Sequence, residues 1–392
     1  MKNFKHSLME SNFSSEDIKK VIKYLKTKNV ILTQNKNVRL FEKKWSKWLG
    51  VKYSTFVNSG ASANLLSIHI LKELNSKKKE IILPAFTWSS DVVSVINAGF
   101  KPIFVDINFK NLALNEDLVK QKINKNTLAV FVTHAMGFVG LTEKFVKFLK
   151  NKNIYLIEDV CESHGAKLGK KKIGTLGAIS NFSFYYGHHM TTIEGGMIST
   201  NSKEIDRLAK MKRGHGLLRD SQDNKFIKAT IKKNKDLNNN FIFKTEGFNL
   251  RNTELSAVLG IQQLTRLNNN IRIRNKNHVL FLKLLREDIF FKDFDLNGSS
   301  NYGLHLILKS KKSKIFKKIL NLLDKKLIEY RLGSLGNQLR QPYLKKIKQS
   351  SSFKSLKNTE HMHFFSVYIG NHQFLEKEKI INLCEGLNKL NI

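Results

Sequence analysis

Short apolar runs, each about one strand long, alternate with stretches of helical spacing through the first half of this 392-residue chain. YSTFVNSG runs from Tyr53 to Gly60, and IILP (81–84), PIFVDI (102–107), LAVFVTH (128–134), IYLIED (154–159) and AISNFSFYY (178–186) follow it. The first of these leads into ASANLLSIHILKEL (61–74), whose spacing is helical. Continuous apolar strands separated by helices bury both faces of a sheet, so the pattern predicts an α/β sandwich around a largely parallel sheet. Ahead of it, FEKKWSKWLG places Phe41, Trp45, Trp48 and Leu49 on one helical side before Gly50, a packing face. LSAVLGIQQLTRL predicts a long helix within residues 250 to 290. A boundary between Gly298 and Gly303 divides a large domain, residues 1–299, from a smaller mixed α/β domain, residues 300–392, which holds LHLILKS, GNQLRQP and FFSVYIGNH.

Charge narrows the partners less than its size suggests. The chain carries 68 basic and 32 acidic residues, a formal charge of +36, which draws anions toward the surface. Its lysines are scattered through nearly every polar segment, with no zinc finger, arginine-rich arm or basic stripe, so nucleic acid is not an expected partner. The opening MKNFKHSLMESNF is too polar for a signal peptide, and no apolar run reaches the roughly 20 residues that cross a bilayer. The expectation is a cytoplasmic protein with no membrane partner. Cys161 and Cys384 cannot by themselves supply the four thiolates of an iron–sulfur or zinc site, and no HExxH or HxH spacing lies near the adjacent histidines His188 and His189, so no metal is expected.

Three segments carry candidate chemistry. In VNSGASAN, Ser59, Gly60, Ala61 and Ser62 sit between a strand and a helix, where small residues and free helix-start amides suit either a phosphate or a plain turn. Asp159 ends IYLIED at what would be the carboxyl edge of the sheet, placed to pair with a protonated pyridine nitrogen or to cap a helix. SFYYGHHMTTIEGG offers two adjacent histidines, of which one is expected to transfer protons and the other to pack.

VNSGASAN, PAFTWSS, EDVCESHGA, SFYYGHHMTTIEGG and GFNLRNTELSAVLG occur in one order along the chain. In that order they resemble the DegT-type sugar aminotransferase family, from the arm near Phe4 to IGNH near residue 372. The resemblance implies the aspartate-aminotransferase fold, with a mixed seven-stranded sheet in a large α/β/α domain and a smaller C-terminal α/β domain. It implies a pyridoxal or pyridoxamine phosphate cofactor held by Gly60, Ala61 and Ser183 at its phosphate, Trp88 on its ring and Asp159 at its nitrogen. His164 is implied to support Asp159, and Asn249 to reach the phosphate from a neighbouring subunit of a homodimer.

One departure redirects the chemistry. Over the family's SFxxxKxxxxGEGG pattern, His188 falls on the lysine and Ile193 on the glycine before Glu194. Lysine normally tethers the cofactor through an imine, which imidazole cannot form. Histidine there resembles the family's nucleotide-sugar 3-dehydratase branch, and the absence of clustered cysteines resembles its iron-independent members. The implied reaction uses pyridoxamine phosphate to remove the C3 hydroxyl of a GDP-linked 4-keto-6-deoxyhexose, with L-glutamate restoring the cofactor. His188 is the implied acid and base, and the implied setting is deoxysugar biosynthesis for lipopolysaccharide O-antigen. Arg219, Arg251 and Arg340 are candidate contacts for the diphosphate or sugar. The competing readings are a nucleotide-sugar 4-aminotransferase with an unusual cofactor cycle and a catalytically inactive sugar-nucleotide-binding protein.

Overall fold

The structure, a computed structural model, describes residues 4–75, 77–345, 347 and 352–390. The first three residues of the polar N-terminal stretch therefore lie outside the described residues. Two helices open the chain, α1 (Ser15–Leu25) and α2 (Lys36–Leu49). Strands and helices then alternate: β1 (Tyr53–Val57), α3 (Gly60–Leu74), β2 (Glu80–Pro84), α4 (Ser89–Asn97), β3 (Lys101–Val105), α5 (Glu116–Lys122), β4 (Thr127–Thr133), α6 (Glu143–Asn151) and β5 (Tyr155–Asp159). A small hairpin, β6 (Lys167–Leu168) and β7 (Lys171–Lys172), precedes β8 (Ile179–Ser183) and β9 (Gly196–Thr200). Helices α7 (Lys203–Arg213), α8 (Asn224–Lys233) and α9 (Glu254–Leu284) lead to β10 (Gly303–Ile307), α10 (Ser313–Lys325), β11 (Tyr330–Leu332), α11 (Lys357–Phe365), β12 (Ser366–Gly370) and α12 (Lys377–Asn388).

The large sheet has seven strands in the order β1-β9-β8-β5-β4-β2-β3. β9 runs antiparallel to both neighbours and every other pairing among these strands is parallel. Helices cover both faces, and the apolar strands are therefore buried along nearly their whole length. The aromatic face expected of α2 is present: Phe41 and Trp45 are fully buried and meet Phe56, Phe182 and Phe184 edge-on or tilted. Gly50 ends that helix in the left-handed conformation at φ 96°.

The second sheet, β10-β12-β11, is wholly antiparallel. The C-terminal end of α9, at Phe281, Leu282 and Leu285, shares a core with these strands and with α10 and α12. The N-terminal arm also reaches this part of the molecule, where His6 Nε2 bonds the Gly370 carbonyl at 2.9 Å. Among the described residues no helix is long and apolar enough to cross a membrane.

Candidate active site

Five neighbouring strands end or begin along one edge of the large sheet. Thr133 and Asp159 lie in register on β4 and β5, and Asp159 in turn faces Asn181 on β8. Ser183, at the end of β8, pairs with Gly196, which pairs with Val57 at the end of β1. Four parallel strands thus deliver their carboxyl ends to one floor, where α/β proteins collect ligands.

One side of the floor is the start of α3. Ser59 caps this helix by accepting from the Ser62 N–H at 3.0 Å, while the helix's first amides have no intrahelical acceptor. A Cβ on Gly60 would lie 2.6 Å from Ser183 Cβ and 3.0 Å from Cys161 Sγ, so only glycine lets the helix start approach β8 this closely. Gly60, Ala61 and the Ser183 hydroxyl accordingly lie together at a helix N-terminus, whose free amides can donate to an anion.

Asp159 forms the floor and is 4% exposed. Its Oδ1 accepts from the Cys161 N–H at 2.8 Å and its Oδ2 from Asn64 Nδ2 at 2.9 Å. The same Asn64 amide donates to Asp91 Oδ1 at 2.7 Å. Asp91 is fully enclosed, and its Oδ2 accepts from the hydroxyls of Thr87 and, at 2.8 Å, Thr133. Burial, with the Asp159 charge beside it, holds the Asp91 carboxyl well above the usual carboxylate range.

The loop between β8 and β9 carries the two histidines and gives them different surroundings. The His188 N–H closes a turn onto the Tyr185 carbonyl at 3.0 Å, and its ring lies 5.4 Å from the Tyr302 ring. Its Nδ1 is enclosed with no hydrogen-bond partner. Burial lowers the His188 pKa to about 4; Arg274 adds to this effect and Asp159 opposes it, which leaves the imidazole a free base at neutral pH. Arg274, buried on α9, donates to the backbone carbonyls of His188 at 3.3 Å and Tyr302 at 3.2 Å. His189 instead turns its Nε2 to the carbonyls of Ser300 and Asn301 at 3.2 and 3.1 Å. Carbonyls only accept, so this nitrogen carries the hydrogen and His189 serves packing.

Other expected residues fall in varied places. Trp88 caps the start of α4 with its indole 60% exposed, leaving a ring face open. His164, implied to support Asp159, makes no hydrogen bond to it through either ring nitrogen. It packs among Trp45, Phe182, Phe184 and His189, and Asn64 with the Cys161 amide holds the carboxylate instead. Asn249 is exposed and accepts from Arg251 Nε at 3.1 Å. Arg251 bridges Val57 at the end of β1, which brings it beside the start of α3. Arg219 is exposed on the surface, donating to the Asn240 carbonyl at 3.1 Å. Arg340, expected to meet substrate, forks onto both oxygens of Glu360 at 2.7 and 2.5 Å and lies over the rings of Phe353 and Phe364. Its guanidinium is thereby committed within the protein.

The sequence reading missed Asn64, Asp91, Glu162 and Arg274. Glu162 accepts from the Met136 N–H at 2.8 Å, and burial pushes its carboxyl up to about 7. A polar residue on the buried side of an apolar helix was the available signal for Asn64, 1% exposed on α3.

Comparison with known proteins agrees with this geometry. The model of the DegT/DnrJ/EryC1/StrS aminotransferase family matches residues 12–388. GDP-4-keto-6-deoxy-D-mannose 3-dehydratase of Yersinia pseudotuberculosis is 31% identical over 365 residues, 92% of each chain. The structure of the E. coli GDP-4-keto-6-deoxy-D-mannose-3-dehydratase with bound hydrated PLP superposes with a TM-score of 0.89 at 29% identity, covering 98% of this chain and 100% of that one. A GDP-4-keto-6-deoxymannose-3-dehydratase structure with a trapped PLP-glutamate geminal diamine gives 0.87 at 29% identity, over 97% and 100%. On this match and this fold, the chain belongs to the DegT/DnrJ/EryC1/StrS aminotransferase family.

Proposed function

We propose that this protein is a pyridoxamine-phosphate-dependent 3-dehydratase acting on GDP-4-keto-6-deoxymannose, with glutamate restoring the cofactor. The observation that carries the reading is His188: a neutral imidazole near the Asp159 charge, at the position where an aminotransferase needs lysine. The residues present fit the cofactor. Gly60 lets the free amides at the start of α3 lie close to the Ser183 hydroxyl, donors that suit a phosphate, and the orphaned Nδ1 of His188 is a polar atom that a bound group can satisfy. When bound, pyridoxamine phosphate supplies an amine for the C4 ketone of the sugar and a ring that takes up electron density.

The protein's own groups do the rest. Gly60, Ala61 and Ser183 hold the phosphate, Trp88 covers one ring face, and the Asp159 carboxylate pairs with the protonated ring nitrogen. With the cofactor and sugar bound, His188 would take a proton from the carbon bearing the amine and return it to the departing C3 hydroxyl. Its low pKa makes the free base available first and makes the protonated form a strong acid afterwards. Arg251 and Arg219 meet the diphosphate of GDP, while Arg340 braces the small domain through Glu360. The chain works in the cytoplasm as a homodimer in which Asn249 reaches the phosphate of the neighbouring subunit. Residues 1–299 form the cofactor-bearing domain and residues 300–392 the smaller one.

The overall exchange balances as 4-keto sugar plus glutamate giving 3-deoxy-4-keto sugar, 2-oxoglutarate and free ammonia. Purified protein with pyridoxamine phosphate, glutamate and GDP-4-keto-6-deoxymannose should therefore release 2-oxoglutarate and ammonia in equal amounts. The sugar should lose one oxygen and keep its C4 ketone. A 4-amino sugar with the C3 oxygen intact and no free ammonia would overturn the dehydratase in favour of an aminotransferase.

A further inference from the structure

Behind Asp159 lies a polar nest that the proposed chemistry does not use. Asp91, on the first turn of α4, is 1% exposed. It has no Lys, Arg or His ion-pair partner among the described residues. Its acceptors are filled by three different elements: Thr87 ahead of α4, Thr133 at the end of β4, and Asn64 on α3. Asn64 spans the gap, donating to Asp91 at 2.7 Å and to Asp159 at 2.9 Å, with its own Oδ1 enclosed and unpartnered. An amide in that place has two orientations. One presents N–H to both carboxyls; the other turns its oxygen toward the Asp159 charge.

We propose that Asp91 is a positioning residue for the reaction: by accepting from Asn64 it fixes the amide in its donating orientation, and so holds the Asp159 carboxylate in the rotation that faces the ring nitrogen. This rests on the reading that Asp159 pairs with the cofactor ring nitrogen. A carboxylate that accepts from fixed donors cannot swing away, so it would keep its hydrogen bond to the ring nitrogen. Asp91 acts on Asp159 through the hydrogen bond to Asn64 that joins them.

The test compares Asp91→Asn, which keeps shape and a carbonyl acceptor, with Asp91→Leu, which keeps bulk alone. Asn64→Leu and Asp159→Asn serve beside them. Each is read by the absorbance and circular dichroism of bound pyridoxal phosphate, whose ring protonation is visible, and by kcat and KM. Melting of the cofactor-free protein gives the structural control. Asp91→Leu is expected to shift the bound-cofactor spectrum in the direction of Asp159→Asn. Its kcat should fall about tenfold, the effect of losing one hydrogen bond to a charged group, at unchanged sugar KM. Asp91→Asn should recover most of both, and Asn64→Leu should reproduce the Asp91→Leu spectrum even if Asp91→Leu fails to fold. Wild-type spectra in Asp91→Leu or Asn64→Leu, or an Asp91→Asn no better than Asp91→Leu, overturn the proposal. An Asp159→Asn protein with a wild-type spectrum overturns the reading of Asp159 instead.

Discussion

Replacing Gly60 with alanine should weaken binding of the cofactor through its phosphate and leave the rest of the cofactor untouched. The new Cβ would sit 2.6 Å from Ser183 Cβ and 3.0 Å from Cys161 Sγ, whereas carbon atoms pack at about 3.5–4.0 Å. Helix start and strand end must therefore separate by roughly 1 Å, and overpacking of this kind costs about 1–3 kcal/mol. The movement opens the cradle between the first amides of α3 and the Ser183 hydroxyl. Losing one hydrogen bond to a charged phosphate costs about 1.5–3 kcal/mol, or roughly 10- to 150-fold in affinity. Fluorescence titration with pyridoxamine phosphate and with pyridoxamine separates the phosphate's contribution from the ring's. The phosphorylated ligand should lose that factor and the dephosphorylated one very little. Equal losses for both, or an unchanged affinity for pyridoxamine phosphate, would refute the cradle.

His188→Lys should tether pyridoxal phosphate, visible as an adduct trapped by borohydride, while dehydration falls at least about a hundredfold, the scale of general acid–base catalysis. His189→Asn should cost stability more than chemistry, and equal loss of the chemical step in both variants would erase the distinction between the two histidines. Ile193 holds φ at 73°, a conformation costly for a β-branched side chain, and is 56% exposed. Ile193→Gly should therefore raise stability by up to about 1 kcal/mol in urea unfolding, and a less stable variant would show that the side chain makes contacts that outweigh the strain. His278 is 1% exposed and burial lowers its pKa to about 3. Its depressed folded-state value means that stability is lost as pH falls below about 6.5, by about 2–3 kcal/mol at pH 4.5. Wild type and His278→Gln should thus converge in urea stability between pH 7 and 4.5, and parallel curves would contradict a neutral buried imidazole.

Much of the sheet was legible because its parallel strands are continuous apolar runs. β9, the antiparallel strand, escaped notice because GMIST mixes glycine and hydroxyl residues and follows a long loop. AISNFSFYY reads as one strand, yet β8 stops at Ser183, where the Tyr185 amide turns back onto the Ser183 hydroxyl at 3.3 Å and the histidine loop begins. Motif residues were visible because their spacing is local. Asn64 and Asp91 were not, since they lie 95 and 68 residues from Asp159 and are joined to it only by the fold. Arg340 illustrates the converse: its local context suggests a free cation, and Glu360, twenty residues later, claims it.

The pairing of β1 with β9 has a consequence for the order of events as the chain is made. Gly60 meets Ser183 beside the pairing of Tyr53–Val57 with Gly196–Thr200, and both contacts join segments more than a hundred residues apart. Closing so long a loop is entropically slow, and it comes after the local helices and the neighbouring parallel pairs. On the proposed site, cofactor would not nucleate this fold, because the place that would receive it is built from Gly60 and Ser183 and does not exist until these distant segments have met. A nascent chain ending before Thr200 should therefore ignore pyridoxal phosphate, and acquisition of the cofactor marks the completion of the large sheet.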